Sequence, residues 1–215
     1  MSIQIVVAGT DTDVGKTVFA AALTRALDGY YWKPIQAGIE IETDRAVVRR
    51  LTGVSDDRTL PEAYRLTTAA SPHIAAERDG ITIDVARLVP PVTPGPLLIE
   101  PAGGLAVPLT RNLLQIDLIA DWKLPVILCA STRLGTINHS LLSIEALQRR
   151  SIPILGIAFI GAQNADSQRT ICEMGGVKPL GRLPHLDPLT PDTLSAAFAS
   201  TFNASDFLGL RGAGL

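Results

Sequence analysis

Two hydrophobic patterns share the chain. Short apolar runs at residues 3–8, 30–35, 97–100, 125–130, 154–160 and 178–183 carry no amphipathic alternation. They read as strands buried on both faces. Between them lie longer stretches with apolar positions spaced for one helical face, at 18–27, 44–51, 71–77, 114–122, up to Arg150 after the 131–139 loop, 167–174 and 191–199. Local chemistry marks several boundaries. Thr43 before Asp44 reads as an N-cap and Gly53 as the stop of that helix. Ser71 followed by Pro72 reads as a cap with proline in the first turn. Alternating strands and helices predict an α/β fold: a doubly wound, mostly parallel sheet with helices on both faces, in one domain over 1–215. The proline-rich 89–96 segment reads as a connector, and the glycine-rich tail from Gly209 is expected to fray.

Composition narrows the class. Apolar residues make up 47% and charged residues 19%, a globular balance with a net charge of −2. That charge argues against nucleic acid or an anionic membrane as partner. Arg49-Arg50 and Arg149-Arg150 read as solvated helix ends. Cys129 and Cys172 stand alone without a CxxC or nearby His, and read as buried thiols. The longest apolar stretch, 152–162, is too short to span a bilayer and contains Pro153 and Gly156. No basic segment precedes the first apolar run, so it reads as a strand and not a signal peptide. A reducing cytoplasm fits these features.

The chemistry concentrates at Gly9-Thr10-Asp11-Thr12-Asp13-Val14-Gly15-Lys16-Thr17, between the first strand and the first helix. A loop ending in Gly-Lys-Thr at a helix N-terminus is the context of a phosphate-binding loop. Gly15 lets the backbone approach, Lys16 meets the outer phosphates, and the Thr17 hydroxyl is positioned to ligate Mg²⁺. Five residues separate the two glycines, one more than in the standard loop, and two of them are acids, Asp11 and Asp13. Acids beside a polyanion site call for a cation nearby.

Other candidates lie at the carboxyl ends of strands, where ligands gather in such sheets. Glu100 ends an apolar strand in a Walker-B arrangement, in which a carboxylate holds Mg²⁺ directly or through water, and a buried acid there calls for a metal or an amine partner. Lys33 ends the second strand, either as a functional lysine or as one that snorkels at an edge. Asp44 is either a first-turn acid favoured by the helix dipole or a metal ligand. The 131–139 loop opens another helix N-terminus, a second anion site suited to a carboxylate. His73 is left open by spacing, and His139 reads as structural.

The 9–17 loop with its five-residue spacing resembles that of the dethiobiotin synthetase family. In the same order, Trp32-Lys33-Pro34-Ile35-Gln36-Ala37-Gly38, Thr43-Asp44, Ser71-Pro72-His73, Glu100-Pro101-Ala102-Gly103-Gly104 and Leu134-Gly135-Thr136-Ile137-Asn138-His139 resemble further family segments, over roughly residues 1–185. The resemblance implies an ATP-dependent enzyme that carboxylates 7,8-diaminopelargonate with CO₂ or bicarbonate and closes its ureido ring. It implies catalytic roles for Lys16, Lys33 and Thr12, and Mg²⁺ held by Thr17, Asp44 and Glu100. ATP contacts would come from Asp13, Val14, Gly15, Lys16, Thr17 and Val18, and from Gly161, Asn164, Leu183 and Pro184. Lys33, Ala37, Gly103, Gly135, Thr136, Ile137 and Asn138 would contact substrate. The last four would do so across the interface of a homodimer. Asp11 and Asp13 would then partner substrate ammonium or Lys33.

Three positions depart from the family pattern. Pro101 stands where a glycine is usual and removes a backbone donor. Ala37 replaces a hydroxyl residue, and Asp13 replaces the longer Glu. The family's base-recognising Asn has no clear counterpart within 161–164.

The main rival is a regulatory ATPase of the partitioning type. Its loop carries an extra lysine near the start, where this chain has Thr10-Asp11-Thr12. Such proteins also use an amphipathic or basic surface, whereas residues 191–215 contain only Arg211 as a basic residue. A cobalamin-type amide ligase is the second rival. It needs a further glutaminase domain, for which 215 residues leave no room.

Overall fold

The computed structural model describes residues 2–39 and 42–208. The first half of the chain runs β1 (Gln4–Gly9), α1 (Lys16–Ala26), β2 (Tyr30–Trp32), β3 (Ile35–Ala37), α2 (Asp44–Thr52), β4 (Thr59–Leu60), β5 (Tyr64–Leu66), α3 (Pro72–Arg78) and β6 (Leu97–Ile99). Then follow β7 (Pro108–Thr110), β8 (Leu113–Leu114), α4 (Gln115–Trp122), β9 (Val126–Ser131), α5 (Thr136–Arg149), β10 (Ile154–Ile160), α6 (Ala165–Gly175), β11 (Pro179–Leu183), α7 (Pro191–Thr201) and α8 (Ser205–Leu208).

Seven strands form the main sheet in the order β11-β10-β9-β1-β6-β2-β4. Every pairing within it is parallel. Successive strand residues point to opposite faces, and the two cores divide accordingly. Ile5, Val7, Tyr31, Leu98, Ile127 and Cys129 pack with Phe19 of α1 and with Phe198, Phe202 and Phe207 of the C-terminal helices. Val6, Ala8, Trp32, Leu97, Ile99, Val126 and Leu128 pack with Ile116 and Ile119 of α4 and Ile144 and Leu147 of α5. Continuous apolar strands are what two covered faces demand, so the doubly wound expectation holds.

Several local expectations need correction. The apolar run at 30–35 ends as a strand before Lys33-Pro34, as Lys33 at its end implies, but residues past the proline form a further strand. That strand, β3, leaves the main sheet to pair with β5 in a separate two-stranded sheet. Proline has no N–H for the ladder, and the break there turns the chain out of the sheet. The short strands β4, β5, β7 and β8 and helix α8 are additions to the sequence reading. Thr43 caps α2 by accepting from the Ala46 N–H at 3.3 Å, and Gly53 ends that helix at φ 68°. Ser71 makes no cap bond; its hydroxyl instead lies 3.0 Å from His73 Nδ1. Cys129 is buried as expected, but Cys172 is half-buried. The tail expected to fray from Gly209 lies outside the described residues. Among the described residues, no helix is long and apolar enough to cross a membrane.

Candidate functional site

The sheet brings β1, β2 and β6 side by side, and the chain leaves each of them at the same edge. The loop after β1 wraps over the N-terminus of α1. Asp13 at φ 56° and Gly15 at φ 95° take left-handed backbone there, which curls the loop. A Cβ at Gly9 would stand 2.8 Å from Lys16 Cδ and 2.9 Å from Val14 Cγ2, so only glycine lets the lysine stem pass beneath. Lys16 is buried and its ammonium donates to the Asp11 carbonyl at 2.8 Å. Burial depresses that ammonium below the ordinary lysine range, with Glu100 pulling in the opposite direction.

Strand register assembles the rest. Tyr31 lies opposite Leu98, and the Glu100 N–H continues the ladder by donating to the Trp32 carbonyl at 2.9 Å. By alternation Tyr31, Lys33, Leu98 and Glu100 share the face covered by α1. Glu100 is only 1% exposed. Its Oε1 lies 2.8 Å from the Thr17 hydroxyl and 3.4 Å from Lys33 Nζ, while Oε2 accepts from the Tyr31 phenol at 2.8 Å. Asp44, opening α2, lies 2.9 Å from the same Thr17 hydroxyl through Oδ1 and 2.6 Å from Lys33 Nζ through Oδ2.

Two acids therefore flank the buried Lys33. Burial alone would lower the lysine, but Glu100 and Asp44 outweigh it and hold Lys33 above its usual range. Burial likewise works to raise Asp44, and Lys33 with the Thr17 bond overcomes it, so Asp44 sits below the usual carboxylate range. Lys33 is thus no edge lysine, and its partners are Asp44 and Glu100, not Asp11 or Asp13. Those two acids are exposed, and Asp11 accepts from the Thr12 N–H at 2.7 Å.

A cleft of about 780 Å³ opens over this cluster. It is lined by Thr12, Asp13, Gly15, Lys16, Thr17, Val18, Lys33, Ala37, Asp44, Glu100 and Gly103 from the sequence-derived set. Gln36, Ala69, Ala70, Ser71, Pro72, Ala102 and Val107 complete its walls. Gly103 is at φ 66°, and a Cβ there would meet Val107 at 2.9 Å and the Thr12 hydroxyl at 3.4 Å.

The remaining candidates lie elsewhere. Val14 is buried under the loop. Gly135 caps α5 at φ 94°, and Thr136, Ile137 and Asn138 follow in its first turn. The Thr136 hydroxyl is committed to the Ser131 carbonyl. Gly161, just past β10, donates to the carbonyl of Leu183 at the end of β11 at 2.9 Å, and Pro184 follows. Asn164 caps α6, accepting from the Ser167 N–H at 3.2 Å, so its carbonyl oxygen already has a structural partner.

Two supporting residues escaped the sequence reading. Gln36 accepts from the Asp44 N–H at 3.1 Å and donates to the Ala37 and Gly38 carbonyls, pinning the start of α2 to β3. Tyr31 holds Glu100. A Gln three positions after Lys33, and a Tyr two positions before it, were the available signals.

The residues fit both a nucleotide and Mg²⁺. The glycine loop leaves a backbone cradle that Cβ atoms would fill. The Thr17 hydroxyl has one proton to offer two carboxylate oxygens, which leaves three hard oxygen donors converging. Magnesium takes such a set with phosphate and water completing its octahedron.

A parallel sheet with this loop and these acids at one strand edge defines a P-loop nucleotide-binding protein. The family model described as an AAA domain matches residues 3–193. Among solved structures, the cell division ATPase MinD of Pyrococcus furiosus superposes with a TM-score of 0.57 at 15% identity, covering 98% of this chain and all of that one. The chloroplast FtsY of Physcomitrella patens gives 0.54 at 11% identity over 97% of this chain and 64% of that one. These likenesses establish the fold.

Sequence relatives are nearer. The ATP-dependent dethiobiotin synthetase BioD of Rhodopseudomonas palustris strain BisB5 is 62% identical over 208 residues, 97% of this chain and 98% of that protein. Its counterpart in Agrobacterium fabrum is 58% identical with the same coverage. The chain belongs to the dethiobiotin synthetase family.

Proposed function

We propose that this chain is an ATP-dependent cyclo-ligase that converts 7,8-diaminopelargonate and CO₂ into dethiobiotin. The observation that carries the reading is the Lys16–Thr17–Lys33–Asp44–Glu100 cluster at the floor of one cleft. Lys16 would meet the outer phosphates, and Thr17, Asp44 and Glu100 would hold Mg²⁺. When bound, the metal neutralises charge between phosphates and polarises the transferred phosphoryl group.

Lys33 does the orienting work. Its ammonium, held charged by two acids, would receive the carbamate of one substrate amine and the γ-phosphoryl group. Phosphorylation gives a carbamic–phosphoric mixed anhydride, and the second amine displaces phosphate to close the ring. Positioning and charge neutralisation are what this transfer requires. Thr12 and Gly103 bound the reacting end, and Ala37 leaves room beside Lys33 for the substrate. Gly161, Asn164, Leu183 and Pro184 border the nucleotide's far end.

The α5 N-terminus at Gly135, Thr136, Ile137 and Asn138 takes the substrate carboxylate in a homodimer. Leu134 and Leu142 beside it are exposed apolar side chains, which supports a second copy of the chain at that surface. The cytoplasm is the compartment that fits a free, half-buried Cys172.

Incubation with ATP, Mg²⁺, the diamine and ¹³C-bicarbonate tests the reading. A cyclic urea carrying the label supports it. Hydrolysis of ATP without labelled product contradicts it.

A further inference from the structure

The two acids facing Thr17 are secured differently. Asp44 is fixed through its backbone, by the Gln36 amide oxygen at 3.1 Å, so both carboxylate oxygens remain directed into the cluster. Glu100 is fixed through its carboxylate. Its Oε2 is taken by the Tyr31 phenol at 2.8 Å, and only Oε1 faces Thr17 and Lys33.

This follows from register. Tyr31 opposes Leu98, so Glu100 two residues on is its diagonal neighbour on the same face. The Tyr31 ring is wholly buried among Leu98, Cys129 and the α1 residues, which leaves the phenol no alternative position.

We propose that Tyr31 is a positioning residue that limits Glu100 to one ligating oxygen and so selects Mg²⁺ over Ca²⁺. Calcium takes six to eight oxygens and favours carboxylates that give both, whereas magnesium demands a tight octahedron of single oxygens. A carboxylate with one oxygen tied back cannot widen its grip. Groups that orient metal ligands in this way typically govern metal affinity by about 10–100-fold. The inference rests on the metal role given above to Thr17, Asp44 and Glu100.

The test is calorimetric titration of ADP into the full chain and its Tyr31→Phe variant, without metal and across Mg²⁺ and Ca²⁺ series. Phenylalanine keeps the ring and removes only the donor. The variant should lose about 10-fold or more in apparent Mg²⁺ affinity, with Ca²⁺ affinity falling less or rising, and metal-free ADP affinity unchanged. A Mg²⁺/Ca²⁺ ratio that stays within about twofold of the parent's overturns the proposal, because general loosening of the site weakens both metals alike. Should the variant not fold, the parent decides. A preference for Mg²⁺ of about 10-fold or more supports the role, and equal binding of the two ions overturns it. ADP affinity of the parent that ignores divalent ions altogether overturns both this inference and the metal reading beneath it. A parental metal dependence that Tyr31→Phe leaves untouched overturns this inference alone.

Discussion

Replacing Lys33 by methionine removes one charge and little volume, so its cost is chiefly electrostatic. The ammonium lies 2.6 Å from Asp44 Oδ2 and 3.4 Å from Glu100 Oε1, with its own side chain 6% exposed. Losing one partner of a buried ion pair costs roughly 3–5 kcal/mol, because the other is left buried and unpaired. The Asp44 side chain keeps 29% exposure, and water screens part of that loss. The lower end, about 3 kcal/mol, is therefore expected. For a chain of this size each kcal/mol moves Tm by about 2–4 °C, so Lys33→Met should unfold some 6–12 °C below the parent.

A second signature separates this from ordinary damage. The variant retains two carboxylates with no cation between them, whereas in the parent an added Mg²⁺ would have to compete with Lys33. Adding Mg²⁺ should therefore raise the variant's Tm by more than the parent's. Thermal unfolding with and without Mg²⁺, followed by circular dichroism, reads both effects. A Tm within about 2 °C of the parent's, with equal Mg²⁺ shifts, would mean that Lys33 carries no such electrostatic load. The variant's kcat should fall by at least about 10²-fold.

Lys16→Met should act in the opposite sense on stability. Burial opposes the charge of Lys16, so the variant should gain about 1 kcal/mol, or about 2–4 °C in Tm, while losing nucleotide affinity; calorimetry with ADP checks the second half. Stability should also follow pH at both extremes. Asp44 titrates below its ordinary value when folded, so its contribution is present at neutral pH and is lost as pH falls through that lowered value, below about 3.8. Lys33 titrates above its ordinary value, so its contribution is lost only as pH rises beyond about 10.5; Lys33→Met should flatten both limbs in urea titrations. Alkylation at pH 8 followed by mass mapping should label Cys172 and spare Cys129 in the folded chain, since Cys129 is wholly buried with its thiol pushed far up by burial.

What the sequence disclosed depended on how local the cause was. The phosphate loop, the Thr43 cap and the Gly53 stop are local chemistry, and each was legible within a few residues. Doubly covered strands were legible because two buried faces leave no polar positions. The end of β2 at Lys33-Pro34 was legible from the proline, but the pairing of Ile35–Ala37 in a second sheet was not, since the partner of β3 lies some thirty residues away at Tyr64. The roles of Tyr31 and Gln36 were hidden for a related reason. A tyrosine in a strand looks like core, and only the pairing of Tyr31 with Leu98 shows that its hydroxyl reaches Glu100. Lys33 was read as a surface or catalytic lysine. Its burial between Asp44 and Glu100 gives it a structural share that no linear spacing reveals. Gly135 to Asn138 lie outside the cleft, at the start of α5.

This cleft couples phosphoryl transfer to ring closure and does not hydrolyse ATP as a signal. Phosphate release from ATP with Mg²⁺ and bicarbonate, measured with and without 7,8-diaminopelargonate, distinguishes the two. Release should depend strictly on the diamine, with one phosphate formed per cyclic urea. Release at the same rate without the diamine would contradict that coupling.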